Sequence, residues 1–592
     1  MAEITDRRTL AQMPWHRFYP QTIRSALDGY DLPEVPLYRL LESSAKYYPH
    51  SIAVVYEPAN FIVSYKDLYA LSKRFAAGLR HRFNLAKGDR VAIFSRNYPE
   101  FLIAMYGVLM AGGTYVACNP ILTKDEVTYQ LADSESRIAI VSDDAKEMFK
   151  DITTENKTAL QQVIVFNRDD DLKPTFLRDR PLGSEPAFHP FMDVFADAPL
   201  DKPAIDPKTD LAGIIYTAGT TGVPKGVMVS HYNAVSSCLL YYSVYTGTFP
   251  ALDHEGFLVC KNHRKDLTDA WEFPMRYGID SAIAAAPWTH MMGFIAHLHC
   301  SIMAAVTIFP VPEFKVEKAL EMIRKWKISF AGGAPQMMSM ILSRPDIDEQ
   351  DLSSIRVWTT GGAPCPVAVG TAFEKRIGGI ISEGYSLTEA TMSSTKNFAN
   401  RSAIRKWGSI GVPLPFTEVK IVDAETGTQE MPVDTDGELI HNGPQVALGY
   451  LNKPEETAEM LRNGWLYTGD IARMDADGFF RITGRKKDII IYKGYNIAPR
   501  MIEEVIYEHP GVSQCAVVGQ KDEVAGEIPV AFVTLKEEAA TTPEEIAAFV
   551  NDKVAGYKKV RKVIIVDKLP MSGFGKVLRK ELAKLLSSSA IT

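Results

Sequence analysis

The sequence predicts two units in tandem: a large, multi-layer α/β domain followed by a small α+β domain. Its 592 residues exceed what one hydrophobic core organises. Apolar runs alternate with helix-periodic segments from about Tyr65 onward, which is typical of βαβ units. After Gly484 the composition changes to Arg485-Lys-Lys-Asp488, and a fresh pattern of strands and helices begins. We therefore expect domains at 1–486 and 487–592.

In the large domain, an extended arm is expected up to about Pro36. Helical spacing of leucines and a phenylalanine predicts a helix over Asp67–Phe83. The further predicted elements are strands at Val91–Ser95, Ile138–Val141, Leu211–Ile215, Val306–Val311 and Ile355–Thr359, and helices at Pro99–Ala111 and Val316–Lys327. The polar stretch Asp169–Pro207 is expected to be a surface excursion, and Asp253–Tyr277 a solvated loop, with a lid or subunit contact as its alternative.

The small domain has its own apolar pattern, and about a hundred residues suffice for a separate core. The predicted strands are Ile489–Tyr492, Cys515–Val518 and Val530–Leu535, and the predicted helices are Pro543–Val554 and Lys576–Leu586.

Composition excludes several classes of protein. With 65 basic and 72 acidic residues the net charge is −7, which argues against a general nucleic-acid binder. The six cysteines are scattered and read as buried thiols of a reducing compartment. No apolar run is long enough for an integral membrane segment and the start lacks an export signal, so we expect a cytoplasmic protein.

One stretch organises the rest of the chain: Tyr216-Thr-Ala-Gly-Thr-Thr-Gly-Val-Pro-Lys-Gly-Val227. Glycines let backbone N–H groups converge on phosphate oxygens, while threonine hydroxyls and Lys225 add donors and positive charge. A Walker A loop needs Ser or Thr after its Gly-Lys pair, and here Lys225 stands between Pro224 and Gly226. The string closely resembles the phosphate-binding signature of the acyl-adenylate-forming superfamily, which includes acyl-CoA synthetases, luciferases and peptide-synthetase adenylation domains.

This resemblance implies an N-terminal adenylation domain, a small mobile C-terminal domain, and ATP phosphates bound by Thr217, Gly219, Thr220, Thr221, Gly222 and Lys225. Ala218 stands where the family usually has serine. Further motifs resemble the superfamily at Thr360-Gly-Gly-Ala-Pro364, Glu383-Gly-Tyr-Ser-Leu-Thr-Glu389, Trp465-Leu-Tyr-Thr-Gly-Asp470 and Pro570-Met-Ser-Gly-Phe-Gly-Lys-Val577.

By resemblance, Gly362, Ala363, Pro364, Gly384 and Tyr385 lie against adenine. Thr388 contacts the α-phosphate, and Glu389 holds Mg²⁺. Asp470 and Arg485 bind the ribose and phosphates, Lys576 is the catalytic lysine, Lys487 is the hinge and Gly494 belongs to the coenzyme A channel. The implied co-substrates are ATP and coenzyme A, and the implied partner is a small-molecule carboxylic acid. The oligomeric state stays open, with a homodimer as the candidate.

The expected acyl pocket is formed by Trp288, His290, Gly293, Phe294, Gly332, Gly333 and Ser386. The segments expected to line it, Trp288–Phe294, Ala331–Pro335 and Gly384–Leu387, contain no Asp, Glu, Lys or Arg. This disfavours an amino acid substrate, because a buried ammonium would lack a partner. By the same resemblance, acetyl and propionyl synthetases close the pocket with a tryptophan near the position of Ser386. A serine there leaves depth for several more carbons, although it intrudes slightly more than the family's usual glycine. We therefore expect a medium- or long-chain fatty acid, with an aryl acid second; a luciferase-like adenylator or a non-catalytic relative remains an alternative. No carboxylate or cysteine completes a metal site with His290, His297 and His299.

Overall fold

The computed structural model describes residues 12–168, 188–217, 223–262, 267–268, 270–363, 365–493, 495–536, 539–571 and 577–587. Within these residues, no helix is both long and apolar enough to cross a membrane.

Two large sheets, mostly parallel, carry the N-terminal domain. One runs, in spatial order, through Val412–Pro413, Met392–Lys396, Ile380–Leu387, Val357–Thr360, Phe330–Gly333, Ser281–Ala284, Thr307–Pro310, Ile52–Tyr56 and Phe61–Ser64. The other runs through Gly449–Tyr450, Lys225–Ser230, Leu211–Thr217, Thr114–Cys118, Arg90–Phe94, Ile138–Ser142, Gln162–Phe166 and Phe188–Pro190. A continuous cluster of buried side chains joins residues of both sheets, so they share one core.

Two helices lie wholly within this core. Pro99–Met110 and His231–Thr246 are buried along their entire length, and the second helix carries buried polar residues such as Asn233 and Ser236. The second begins at a capping box in which Ser230 and Asn233 satisfy each other's backbone N–H groups. The remaining helices of this domain are Gln21–Leu27, Arg39–Tyr47, Tyr65–Arg82, Lys124–Asp133, Lys146–Glu155, Cys300–Met303, Val316–Trp326, Pro335–Leu342, Val367–Ile377 and Pro454–Met460. Ahead of Cys300, residues Gly293–His299 form a buried π-helix.

A smaller antiparallel sheet closes the domain. Its strands lie in the order Glu418–Val422, Gly437–Asn442, Trp465–Met474 and Leu461–Arg462. The strand Phe480–Arg485 also pairs with Trp465–Met474. A short ribbon pairs Ala251–Leu252 with Leu258–Val259.

The C-terminal part has separate hydrophobic clusters that begin at Ile490. Its strands are Tyr495–Ile497, Ile490–Tyr492, Gly526–Leu535 and Val512–Asp522, with Lys562–Ile565 beside Gly526–Leu535. Its helices are Pro499–Tyr507, Pro543–Lys553 and Arg579–Ser587. The predicted α/β fold with a small second domain is confirmed, while the boundary at 486/487 stays a prediction.

The expectation of a solvated loop over Asp253–Tyr277 is wrong for its second half. The side chains of Trp271, Phe273, Met275 and Tyr277 are buried. The guanidinium carbon of Arg401 lies 4.2 Å from the centre of the Trp271 ring, and burial of this aromatic surface outweighs the polar residues between. Similarly, residues 188–207 do not form a simple surface excursion, because Phe191, Val194 and Phe195 enter the core.

Candidate active site

The candidate site is built where neighbouring parallel strands end. Gly333 pairs with Thr360, and Thr360 pairs with Glu383, so three strand ends lie side by side. The turn after Thr360 lies in contact with the third strand: a Cβ on Gly361 would stand 3.5 Å from the Gly384 carbonyl oxygen. Ligands of open α/β sheets bind at the carboxyl ends of the strands, which makes this sheet edge the candidate site.

One cluster gathers three of the predicted nucleotide-binding residues. The Tyr385 hydroxyl donates a hydrogen bond of 2.5 Å to Asp470 Oδ2. Arg485 Nε donates to Asp470 Oδ1 at 2.8 Å, from the register position directly opposite Asp470. Asp470 is buried. Burial, and then the Asp470 charge, raise the pKa of Tyr385 well above its usual value, so this hydroxyl stays a donor.

A second cluster surrounds the predicted metal ligand. The Tyr450 hydroxyl donates to Glu389 Oε1 at 2.7 Å, and Lys225 Nζ lies 5.0 Å from the centre of the Tyr450 ring. Lys225 is itself paired with Thr217, so both flanks of the glycine loop are anchored in adjacent strands. Tyr450 thus connects two predicted site residues that are 164 positions apart in the chain, counted from residue 225 to residue 389.

The backbone around Glu389 is sharply bent. A short 3₁₀ turn, Thr388–Ala390, joins two antiparallel strands, and Thr391 and Met392 have positive φ values of 43° and 95°. Non-glycine residues seldom occupy this region, so the turn is strained and must be held by its surroundings. Ser237 provides one such contact through its hydrogen bond to the Thr391 carbonyl.

Several predicted site residues lie outside the described residues: Gly219, Thr220, Thr221, Gly222, Pro364, Gly494 and Lys576. Among the others, Gly362 has φ of +78° in the turn after Thr360, with Ala363 next to it. Thr388 is half-buried, and its carbonyl accepts from the Thr391 N–H. Lys487 lies exposed in the short 3₁₀ turn Lys486–Asp488, between the two sheets that its predicted hinge role would connect.

The predicted acyl-pocket residues divide into two groups. Trp288 and Phe294 are fully buried and pack on Phe101 and Tyr115, with ring centres 5.4 and 5.6 Å apart. His290 and Ser386 are half-buried and remain accessible.

The glycines of this region are required by close packing. A Cβ on Gly293 would stand 2.0 Å from the Pro287 carbonyl oxygen, and one on Gly332 would stand 2.2 Å from Thr359 Cγ2. A Cβ on Gly333 would meet the Met337 sulfur at 2.2 Å, but this flexible side chain can move aside, so Gly333 is less constrained than the other two. Each distance is a steric overlap.

One charged side chain, that of Lys396, reaches the predicted pocket segments from outside them. Lys396 pairs with Gly384 across the strands, and its side chain folds over that glycine. Its Nζ donates to Thr359 Oγ1 at 2.9 Å and to the Ser382 carbonyl at 3.1 Å. Burial lowers the pKa of Lys396 to about 7, against the opposing effect of Glu383. Sequence reasoning missed Tyr450 and Lys396; a lysine at the end of an otherwise uncharged strand was the signal for the latter.

Comparison with known proteins shows which family this chain resembles. The model of the AMP-binding enzyme family matches residues 41–451, and that of the AMP-binding enzyme C-terminal domain matches residues 501–576. A long-chain-fatty-acid–CoA ligase of Bacillus subtilis is 35% identical over 97% of this chain and 98% of its own. A 4-coumarate–CoA ligase of Oryza sativa is 30% identical over 95% of each chain.

A solved structure has a similar fold. ATP-bound MatB from Rhodopseudomonas palustris is 27% identical, with a TM-score of 0.79 over 94% of this chain and 99% of its own. Fold, site and relatives together define an enzyme of the AMP-forming acid–CoA ligase class. The chain belongs to the AMP-binding enzyme family.

Proposed function

We propose that this enzyme activates a medium- or long-chain fatty acid with ATP and transfers the acyl group from the acyl-adenylate to coenzyme A. The observation that carries the proposal is a pair of clusters joined by the segment from Tyr385 to Glu389: Tyr385–Asp470–Arg485 at its start and Lys225–Tyr450–Glu389 at its end. We place the reaction in the cytoplasm, with a small-molecule acid as partner and a homodimer as the candidate assembly.

The first cluster suits a nucleoside. A carboxylate with four lone-pair positions can accept both ribose hydroxyls while it keeps Arg485 as a neighbour. The Tyr385 ring, held by its own hydroxyl, supplies a surface on which a base can stack.

The second cluster suits phosphate oxygens and a divalent cation. Tyr450 donates to only one oxygen of the Glu389 carboxylate, so the other can bind Mg²⁺. Such a metal ion, when bound, neutralises charge on phosphate oxygens. Lys225 offers a second positive charge in the same cluster. Lys576, which we propose as the catalytic lysine, would add a third.

In the proposed first step, a carboxylate oxygen of the acid attacks the α-phosphorus of ATP and pyrophosphate leaves. In the second, the coenzyme A thiolate attacks the acyl carbon and AMP leaves. We propose that the small domain turns about Lys487 between the steps, which withdraws Lys576 and brings the segment at Gly494 to the site.

For the acid, the fatty-acid–CoA ligase relative supports an alkyl tail, and the buried aromatic surroundings of Trp288 and Phe294 agree with it. Each buried methylene adds about 0.8 kcal/mol of binding, which is up to about fourfold in kcat/KM. The 4-coumarate–CoA ligase relative supports an aryl acid as the second candidate.

The test is pyrophosphate release and thioester formation across acids from acetate to palmitate, with benzoate and cinnamate alongside. We expect kcat/KM to rise with chain length until the pocket is filled. An optimum at acetate or at an amino acid would contradict the substrate proposal. Light emission with oxygen would point to a luciferase-like reaction, and silence with every acid to a non-catalytic relative.

A further inference from the structure

A polar cluster lies buried in the region expected to hold the acyl tail. Its members are Lys396, Thr359, Tyr241, Tyr245 and His297, and each is almost fully buried. Within the AMP-forming reaction none of them has a role in binding ATP, so they require another explanation.

Thr359 is the centre of this cluster. Its Oγ1 accepts from Lys396 Nζ at 2.9 Å and from the Tyr245 hydroxyl at 3.2 Å, and it lies 2.9 Å from the Tyr241 hydroxyl. The Lys396 ammonium also lies 5.1 Å from the centre of the Tyr241 ring. Among the described residues, the Lys396 amino group thus forms no salt bridge, and two oxygen atoms and an aromatic ring surround it instead.

His297 approaches the same cluster from the π-helix. The position of a Cβ on Gly332 is 3.4 Å from His297 Nε2 and 2.2 Å from Thr359 Cγ2, so the two side chains meet at this glycine. His297 Nδ1 accepts from the Ala286 N–H at 3.2 Å, whereas Nε2 has no hydrogen-bond partner among the described residues. Burial lowers the pKa of His297 to about 4, so the ring is neutral and Nε2, opposite the accepting Nδ1, carries the proton.

The cluster borders both parts of the expected substrate site. Lys396 Nζ is 3.2 Å from the position that a Cβ on Gly384 would take, and His297 reaches Gly332. A plain alkyl tail in this place would leave the free donor of His297 without an acceptor. Buried donors without an acceptor are costly, and the cost is removed when the ligand brings an oxygen.

We propose, resting on the acid–CoA ligase function above, that the tail of the preferred acid carries a neutral oxygen, a hydroxyl or a keto group, and that Lys396, Thr359 and His297 bind it. The group is neutral because a carboxylate buried here would lose its hydration, while burial also disfavours the charged form of Lys396 that would have to pair with it. Lys396 is then a specificity-determining residue, one that acts on the choice of acid and leaves the nucleotide chemistry to other groups.

The experiment compares matched acids with the full-length enzyme: decanoate against hydroxy- and ketodecanoates substituted along the chain, and cinnamate against para-hydroxycinnamate. We expect wild-type kcat/KM to favour an oxygenated acid over its plain counterpart by about tenfold or more in one of the two series. The series that shows it identifies the tail as alkyl or aryl.

Lys396→Met should abolish or reverse this preference, because methionine keeps the apolar length of the side chain and removes its donor. Thr359→Val is the second variant, with the same expected direction and little change in shape. Lys375→Met, at an exposed lysine of the helix Val367–Ile377, is the matched control and should keep the wild-type ratio. A ratio of two substrates in one preparation does not depend on how much of the variant is folded.

Two results would overturn the inference while leaving the ligase function intact: plain acids preferred by the wild type, or a preference that both variants retain. A dicarboxylate as the best substrate would overturn the assignment of a neutral oxygen. Absence of pyrophosphate release with any acid would instead contradict the proposed function itself.

Discussion

Tyr450→Phe isolates the hydrogen bond that orients the predicted metal-binding carboxylate. The substitution removes the hydroxyl that donates to Glu389 Oε1 at 2.7 Å and keeps the ring on which Lys225 lies. Burial, and then the Glu389 charge, raise the pKa of Tyr450 above its usual value, so the hydroxyl is a donor throughout the working pH range.

The size of the effect follows from the contact. A hydrogen bond to a charged group is worth about 1.5–3 kcal/mol, and both residues are half-buried, which favours the lower end. At 1.36 kcal/mol per decade, about 1.5 kcal/mol corresponds to a tenfold loss. We expect kcat/KM for ATP in adenylate formation to fall about tenfold and the half-saturating Mg²⁺ concentration to rise.

The assay separates the half-reactions. Pyrophosphate release at several Mg²⁺ concentrations reports the first, and thioester formation from supplied acyl-AMP reports the second, which should be unchanged. Tyr242→Phe is the matched control, since its buried hydroxyl has no hydrogen-bond partner among the described residues. An equal loss in both half-reactions, or a loss independent of Mg²⁺, would refute the reasoning.

Further predictions concern the catalytic lysine, the hinge, a buried histidine and the packed segment. Lys576→Ala should abolish adenylate formation and spare thioester formation from acyl-AMP; equal losses would contradict its role. Lys487→Pro should do the opposite, because proline restricts the hinge rotation, and unchanged coenzyme A turnover would mean that the pivot lies elsewhere. The pKa of His441 is lowered by burial to about 3, and both ring nitrogens lack partners among the described residues, so stability is lost as the pH falls from 6.5 towards 3. His441→Leu should remove this loss of stability, which is worth about 2 kcal/mol at pH 5. The unfolding temperature of the variant should therefore rise more, relative to the wild type, at about pH 5 than at about pH 7.5. Trp271→Ala should cost about 3–5 kcal/mol in chemical unfolding, whereas a change below about 1 kcal/mol would indicate a solvated loop.

Much of the fold could be predicted from the chain because the signals are local. The helix expected at Asp67–Phe83 is Tyr65–Arg82, and the strand expected at Leu211–Ile215 is Leu211–Thr217. Strand and helix periods, and a motif such as the one ending at Asp470, depend on neighbours in sequence.

What could not be predicted depends on contacts between distant segments. Tyr450 reaches Glu389 only because its short strand adds to the edge of Lys225–Ser230. Lys396 is turned inwards by antiparallel pairing with Gly384, and no periodicity announces that a lysine will be buried. The charged residues around Trp271 predicted exposure, whereas Arg401, from another part of the chain, covers the ring and makes it part of the core.

The π-helix Gly293–His299 has a consequence for how this fold tolerates changes in length. Such a segment holds more residues per turn than an α-helix, because its backbone hydrogen bonds span five residues in place of four. Deleting a single residue there should let the segment relax into a regular helix continuous with Cys300–Met303, without disturbing the strands on either side. Residues before the deletion would rotate by about 100° relative to those after it, which would turn the imidazole at position 297 away from Gly332. The loss of one codon would therefore alter the wall beside the acyl tail while leaving the architecture intact, which is a route to new acid preference separate from point substitution.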